Sequence, residues 1–391
     1  MTVHGSSRTC SDTVGVLTIS HTCNYGAQLQ AHALCRAIES LGRACEVIDY
    51  ACPAVCRSET PRSPAPADLL LHPRSSLRLL RTSGERRRKY DAFRSFETDC
   101  MSIGPSLAGQ GDMAKRYDTV VVGSDQVWGK RVTGGDRTFF LGDASCDGLR
   151  KVAYAASFGD ARPATADGAL LARELCRFDA LGMREQAGAD FISDLGIDGA
   201  RHVLDPTLLL DAPAWREVAV EPSVQGPYVL AYFMFGGHER VLEAARSAAR
   251  AIGAPVVAVN WRFLRPIAGL EYRNDATPAE FVGLVDDAEM VVTSSFHGVC
   301  LSAVLEKDLR YVLPDGVDRS RSRICDLARS LGLEAAEATS DGPVAGSSID
   351  FSVVRRRLES LRADSLAFLE GALDGDESLR PVIRECAGDG S

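Results

Sequence analysis

Val291-Val292-Thr293-Ser294-Ser295-Phe296-His297-Gly298 runs from β-branched residues into a small polar turn, then sets one histidine and one glycine ahead of the apolar run Val299–Leu305. β-branched residues suit strands, and an apolar run after a polar turn suits a helix, so strand, turn and helix are predicted in succession. His297 falls in the first turn of that helix. Backbone N–H groups there lack intrahelical partners and the helix dipole favours negative charge. An imidazole at this point can touch both a bound anion and its reacting atom. Capping or packing the helix is the simpler use of the same residue.

The pattern repeats outward from there. Val14–Ile19 reads as a buried first strand, Ser20–Tyr25 as a turn, Gly26 to Leu41 as a helix stopped by Gly42, and Ala44–Tyr50 as the next strand. Such a βαβ unit demands a parallel sheet with helices packed on it. Thr119–Val122, Val152–Ser157, Ala180–Met183 and His202–Leu204 read as further strands, with Gly168–Phe178 helical between them. After Pro206 the alternation restarts with the strand Tyr228–Phe233, the helix His238–Ile252 and the strands Pro255–Val259, Met290–Thr293 and Arg310–Val312. The expectation is an α/β protein of two Rossmann-like domains facing a cleft, a GT-B-like arrangement. Residues 13–205 form the first domain and 206–373 the second, closed by a helix over Val353–Leu373, with 374–391 a loose tail. In open α/β sheets ligands lie beyond the carboxyl ends of the strands, where the motifs named here fall.

The 391 residues carry a formal net charge of −9, which argues against wholesale binding of nucleic acid. Met1–Asp12 is polar and lacks a signal-peptide core, and no apolar run is long enough to span a bilayer, so a cytoplasmic protein is expected. Twelve cysteines are scattered without a Cys-x-x-Cys pair. Cys45, Cys52 and Cys56 cluster, but no nearby histidine completes a zinc set, and no metal is expected. The turn His21-Thr22-Cys23-Asn24-Tyr25-Gly26 is not a dinucleotide fingerprint, and no Walker loop occurs. Cys52–Pro73 holds five prolines and reads as a loop excursion. It leads into Arg74, Arg78, Arg81, Arg86, Arg87, Arg88, Lys89 and Arg94, so that 52–94 forms a basic excursion from the first domain. Those cations suit either a solvated helix face or a rim attracting an anionic acceptor, including a lipid-linked glycan at a membrane surface touched through residues 74–94.

Five motifs in order give a resemblance. Asn24-Tyr25-Gly26-Ala27-Gln28-Leu29-Gln30, Val121-Val122-Gly123-Ser124-Asp125-Gln126-Val127-Trp128, Arg184-Glu185 before Ala187-Gly188, Leu204-Asp205-Pro206-Thr207-Leu208-Leu209 and the Ser-Phe-His-Gly element resemble the polysaccharide pyruvyl transferase family, over roughly residues 14–335. The resemblance implies transfer of the carboxyvinyl unit of phosphoenolpyruvate, as co-substrate and with no other cofactor, onto a sugar, glycan or small-metabolite hydroxyl, with release of phosphate. That chemistry needs cations or helix N-termini for the donor, a general acid for the vinyl carbon and an acceptor for the hydroxyl proton.

On this reading His297 is the general acid or phosphate contact. Asp125, exposed at a strand end, binds or deprotonates the acceptor; capping a helix is its structural alternative. Arg184 follows the strand Leu181–Met183 and offers a planar fork to the donor, or else a salt bridge to Glu185. Ser294, Ser295, Gly298 and Arg323 complete the donor side, with Arg319 and Arg321 in the same loop as Arg323. Asn24, Tyr25, Gln126 and Trp128 form the acceptor side, with Trp128 stacking on a sugar face; Asn24 equally suits capping the helix that follows. Asp205-Pro206-Thr207 reads as a structural hinge and turn between the domains, with a catalytic acid as the alternative. Many members of the family carry arginine directly before the aromatic–His pair, where Ser295 stands here. The rival readings are a nucleotide-sugar glycosyltransferase of GT-B architecture and a catalytically silent glycan-binding relative.

Overall fold

The computed structural model describes residues 13–59, 71–159, 168–234, 238–260, 270–313, 322–338 and 349–384. Two parallel sheets organise them. The first is built from β1 (Val14–Leu17), β2 (Cys45–Asp49), β3 (Ile103–Ser106), β4 (Thr119–Val122), β5 (Arg150–Ala156), β6 (Ala180–Met183) and β7 (Arg201–His202). Their spatial order is β3-β2-β1-β4-β5-β6-β7. The second holds β8 (Val229–Phe233), β9 (Val256–Asn260), β10 (Glu271–Tyr272), β11 (Met290–Thr293) and β12 (Leu309–Tyr311), ordered β10-β9-β8-β11-β12. Runs such as Val120-Val121-Val122 and Val291-Val292 are fully buried, as strands covered on both faces must be. The α/β architecture with two Rossmann-like halves is as the sequence predicts.

In each sheet the chain works outward from one strand and then returns to its other side. The reversals fall between β1 and β4 and between β8 and β11, which are the switch points where open α/β sheets form crevices. The first helix, α1 (Tyr25–Ser40), leaves the β1 crevice. The Asn24 side chain accepts from the Gly26 N–H at its start, and Gly42 continues the chain beyond its end at φ 76°.

Where it is described, the segment expected as a loop excursion contains helix, and the arginine-rich stretch after it lies on a long helix. Pro53–Glu59 is one helix and α2 (Pro73–Cys100) a second, 28 residues long; Thr60–Leu70 lies outside the described residues. Leucine and arginine are good helix formers, Pro73 is tolerated at the first helical position, and Lys89, Phe93, Phe96 and Glu97 recur at helical spacing on the buried side. Arg87, Arg88 and Arg94 of the expected basic rim each face a carboxylate, at Asp91, Asp275 and Glu97.

The halves are joined by a common core. Tyr25, at the start of α1, is fully buried; its ring stacks on Phe281 at 4.5 Å and its hydroxyl donates to the Ala276 carbonyl at 3.0 Å. Phe281 belongs to α3 (Pro278–Asp286) of the second half. The last long helix (Phe351–Asp374) returns to the first sheet, where Ser365 Oγ accepts from the Leu204 N–H and Arg362 donates to the carbonyls of Leu208 and Leu210. Beyond it, residues 375–384 are not the expected loose tail. Leu379 is buried, and Val382–Ile383 pairs antiparallel with Ile197–Asp198. Residues 385–391 lie outside the described residues. Among the described residues no helix is long and apolar enough to cross a membrane.

Lys89 of α2 reaches over this seam. Its ammonium donates to the Asn260 carbonyl at 3.3 Å and lies 5.1 Å from the centroid of the Tyr25 ring. Burial pushes it down to about 8 from 10.5, against the opposing pull of Cys23 and Glu59. A lysine whose folded value is depressed binds fewer protons folded than unfolded, so its contribution to stability rises with pH between those two values. Relative to Lys89→Met, the wild type should gain on the order of 3 kcal/mol of unfolding free energy across that window, at 1.36 kcal/mol per unit. Urea titrations at pH 7, 9 and 10.5 measure it; parallel pH curves for the two proteins would refute the buried charge.

Candidate functional site

Four consecutive strand ends of the first sheet deliver polar side chains to one place. β4 ends in Gly123-Ser124-Asp125, β5 in Ser157, β6 in Arg184-Glu185, and the chain after β7 in Asp205. The Asp125 carbonyl accepts from the Ser157 N–H at 3.1 Å, which ties the β4 loop to β5. Asp125 itself sits at φ 75°, a left-handed backbone that aspartate tolerates better than most residues and that is over-represented at functional sites. From the second sheet, β11 ends at Thr293 and α4 (Phe296–Val304) begins three residues later, with His297 in its first turn.

Arg184 is the hub. Its side chain is fully buried, with Nε 3.0 Å from Glu185 Oε1 and Nη1 3.2 Å from Asp205 Oδ2 and 3.4 Å from Asp125 Oδ1. Burial works against its charge, but the carboxylates of Glu185, Asp125 and Asp205 more than offset that and hold the guanidinium firmly ionised. The fork expected to emerge at the strand end is therefore enclosed. Arg184 orders three carboxylates, and its Nη2 makes no hydrogen bond among the described residues. The salt bridge to Glu185 and a site role coexist.

Asp205 divides its two oxygens between two tasks. Oδ1 accepts from the Thr207 N–H and hydroxyl, capping the turn Pro206–Leu208. Oδ2 takes the Ser124 hydroxyl at 3.2 Å and Arg184, and lies 3.5 Å from His297 Nε2, an ion-pair contact without hydrogen-bond geometry. Burial alone would raise the Asp205 carboxyl; the charges of His297 and Arg184 and the bonds from Thr207 hold it well below the usual carboxylate range. Sequence reading found the turn and missed the second oxygen. Glu185, whose Oε1 also accepts from the Ser157 hydroxyl at 3.0 Å and lies 3.9 Å from Arg323 Nε, was missed as a site group as well.

His297 comes from the other half of the molecule and packs on the first turn of α1. A Cβ added at Gly26 would stand 2.0 Å from His297 Nδ1, so only glycine lets the imidazole in. Phe296 beside it receives two guanidiniums, Arg184 at 5.3 Å and Arg323 at 5.8 Å from its ring centroid. Thus Asp125, Arg184, His297 and Arg323, all named from sequence, share one cluster. Ser294 adds a buried hydroxyl oxygen that makes no hydrogen bond among the described residues, and the Ser295 N–H donates to Thr293 Oγ1 at 2.9 Å. Gly298 lets α4 close on its own strand, since a Cβ there would stand 2.5 Å from Thr293 Oγ1.

Two of the acceptor-side assignments, Trp128 and Tyr25, need correction. Trp128 is only 6% exposed; its indole N–H donates to the Phe139 carbonyl and its ring stacks on Phe140 at 5.4 Å. Its faces are covered by protein and cannot receive a sugar. Tyr25 is likewise an interdomain core residue. Asn24 caps α1, the alternative already visible in sequence, while Gln126 packs beside Gly159. Arg319 and Arg321 lie outside the described residues. Among the described residues no group of three His, Cys, Asp or Glu side chains is arranged to hold a metal.

These features define a two-domain α/β protein with a charged, largely buried cluster between opposed strand ends. The polysaccharide pyruvyl transferase family matches residues 24–308, and the chain belongs to that family. No curated protein matches the sequence closely enough to count as a relative. Among solved structures, the UDP-GlcNAc 2-epimerase of Methanocaldococcus jannaschii is 11% identical, with a TM-score of 0.43 over 89% of this chain and 91% of that one. A spinosyn rhamnosyltransferase is 12% identical, with a TM-score of 0.38 over 94% and 96%. Both are distant likenesses of outline.

The contact between Gly26 and His297 makes a sign reversal testable. In the wild type, Gly26→Ala should destabilise, because its methyl meets the imidazole. In a His297→Ala background the same change should be neutral or stabilising by about 0.5–1 kcal/mol, the ordinary gain from alanine in a helix. Urea unfolding of the four proteins gives the cycle; equal effects of Gly26→Ala in both backgrounds would mean that the two residues do not meet.

Proposed function

We propose that the protein moves the pyruvyl unit of phosphoenolpyruvate onto hydroxyl groups of a sugar and releases phosphate. Family membership supports the reaction class. The observation that carries the site assignment is a set of three buried polar atoms that make no hydrogen bond among the described residues, Arg184 Nη2, Ser294 Oγ and His297 Nε2. Arg184 and His297 meet around Asp205 Oδ2. Buried polar atoms are almost always satisfied, and unmatched ones point to a missing ligand or water. An N–H of arginine, a hydroxyl and an imidazole beside the first turn of α4 suit the oxygens of a phosphate or carboxylate.

In this reading one acceptor hydroxyl adds to C2 of the enol while His297 delivers a proton to C3, turning the vinyl carbon into a methyl group. Phosphate leaves, and a second hydroxyl closes the ketal. One hydroxyl proton thus ends on carbon and the other on phosphate. Asp125, 11% exposed at its side chain, aligns the incoming hydroxyl, and Arg323, 20% exposed, holds the donor from the α4 side. The ten described cysteines are all free thiols, which supports a reducing, cytoplasmic site of action.

Phosphoenolpyruvate should raise the melting temperature of the wild type, and phosphate should appear when a sugar acceptor is added. His297→Ala is expected to slow that release by roughly 10²–10⁴-fold, the usual general-acid contribution. Arg323→Lys keeps charge but loses the fork, so the Michaelis constant for phosphoenolpyruvate should rise. A thermal shift with UDP and none with phosphoenolpyruvate would replace this reading with nucleotide-sugar transfer. A shift with neither would indicate a silent relative.

A further inference from the structure

A second acid–base pair stands at the carboxyl ends of strands of the first sheet and has no part in the mechanism above. His21 lies in the loop between β1 and α1, at the switch point of the first sheet. Its Nε2 is 2.6 Å from Asp49 Oδ1 at the carboxyl end of β2. Both side chains remain open to solvent, His21 at 22% and Asp49 at 25%. The loop that carries His21 is anchored at both ends to the site. Thr18 Oγ1 donates to the Ser124 carbonyl at 3.0 Å, one residue before Asp125, and Asn24 caps the helix turn on which His297 packs. From α2, Arg94 Nη1 lies 3.4 Å from His21 Nδ1 and pairs with Glu97, which also accepts from Gln28 at 2.7 Å. The Cys56 thiol lies near Asp49.

The arrangement fixes a tautomer. A carboxylate at Nε2 holds the proton there, and a guanidinium opposite Nδ1 favours a bare lone pair on that nitrogen. The Arg94 contact is at the outer limit of a hydrogen bond and Arg94 is 45% exposed at its side chain, so a hydroxyl can insert between the two groups. An imidazole is a far better base near neutral pH than a carboxylate ion-paired to arginine, which is the state of Asp125.

We propose that His21, oriented by Asp49, is the base that takes the proton from the acceptor hydroxyl as its oxygen bonds to C2 of the donor. The proton moves to Nδ1 and passes to the departing phosphate, while the proton of the second hydroxyl restores the one that His297 gave to C3. Asp125 then orients the hydroxyl without removing its proton. This inference rests on the transfer reaction proposed above.

The test uses the full chain, phosphoenolpyruvate and a panel of methyl hexopyranosides, with phosphate release as the readout. His21→Ala should lose roughly 10²–10⁴-fold in kcat at pH 7, keep the thermal shift caused by phosphoenolpyruvate and regain rate with added imidazole. The wild-type fall in kcat/KM on the acid side should vanish in His21→Ala. In Asp49→Asn that fall should move to lower pH, because removing the carboxylate disfavours the imidazolium. A His21→Ala protein that keeps wild-type turnover and the same acid limb overturns the proposal. So does one that loses rate with no imidazole rescue and an unchanged pH profile, since that is a structural role. A wild type that releases no phosphate with any acceptor sinks the transfer reaction itself, and this inference with it.

Discussion

Arg184 has no access to water, and everything at the centre of the molecule answers to its charge. A lone guanidinium in that position would be untenable, because an unpaired buried ion costs several kcal/mol even after the protein relaxes. Its three carboxylates come from separate places in the chain, Asp125 after β4, Glu185 after β6 and Asp205 after β7. Each is useful only if its strand ends at the same level as its neighbours. The parallel register of the first sheet, in which Val122 pairs with Ala153 and Ala156 with Met183, supplies that level. The ion cluster and the sheet register therefore constrain each other.

The same charge ties the two halves together. Asp205 faces Arg184 in the first half and His297 from the second through a single oxygen. Gly26 admits the imidazole from the opposite side. Tyr25, one residue earlier, fills the aromatic seam with Phe93, Tyr232 and Phe281. Adjacent residues of one helix turn thus do two jobs, Tyr25 securing the halves and Gly26 leaving room for the imidazole. The position of His297 is set by domain docking as much as by its own helix.

Sequence disclosed what depends on local pattern. The strands ending at Val122, Met183 and Thr293, the helix beginning after Asn24 and the first-turn place of His297 all follow from β-branched runs, a capping side chain and a glycine stop. What it hid depends on long-range burial. Trp128 looks like a sugar platform because it follows a polar turn, yet Phe140, Phe158 and Phe178 close around it. The arginine-rich stretch of α2 hides its buried side because one of the inward positions is Lys89, which periodicity counts as polar. Asp205 reads as a turn residue, and it is one; nothing local shows that its other oxygen meets residues 21 and 92 positions away.

Among the described residues, two guanidiniums, Arg184 and Arg323, stand with the carboxylates of Asp125, Glu185 and Asp205 in this cluster. The Arg184 side chain has no exposure, while 20% of the Arg323 side chain remains exposed. A guanidinium committed to three carboxylates cannot turn toward a newcomer without leaving one of them buried and unpaired, which costs several kcal/mol. Arg184 therefore acts on its surroundings by fixing where Asp125, Glu185 and Asp205 stand, and adjustment falls to the side chains at the edge of the cluster.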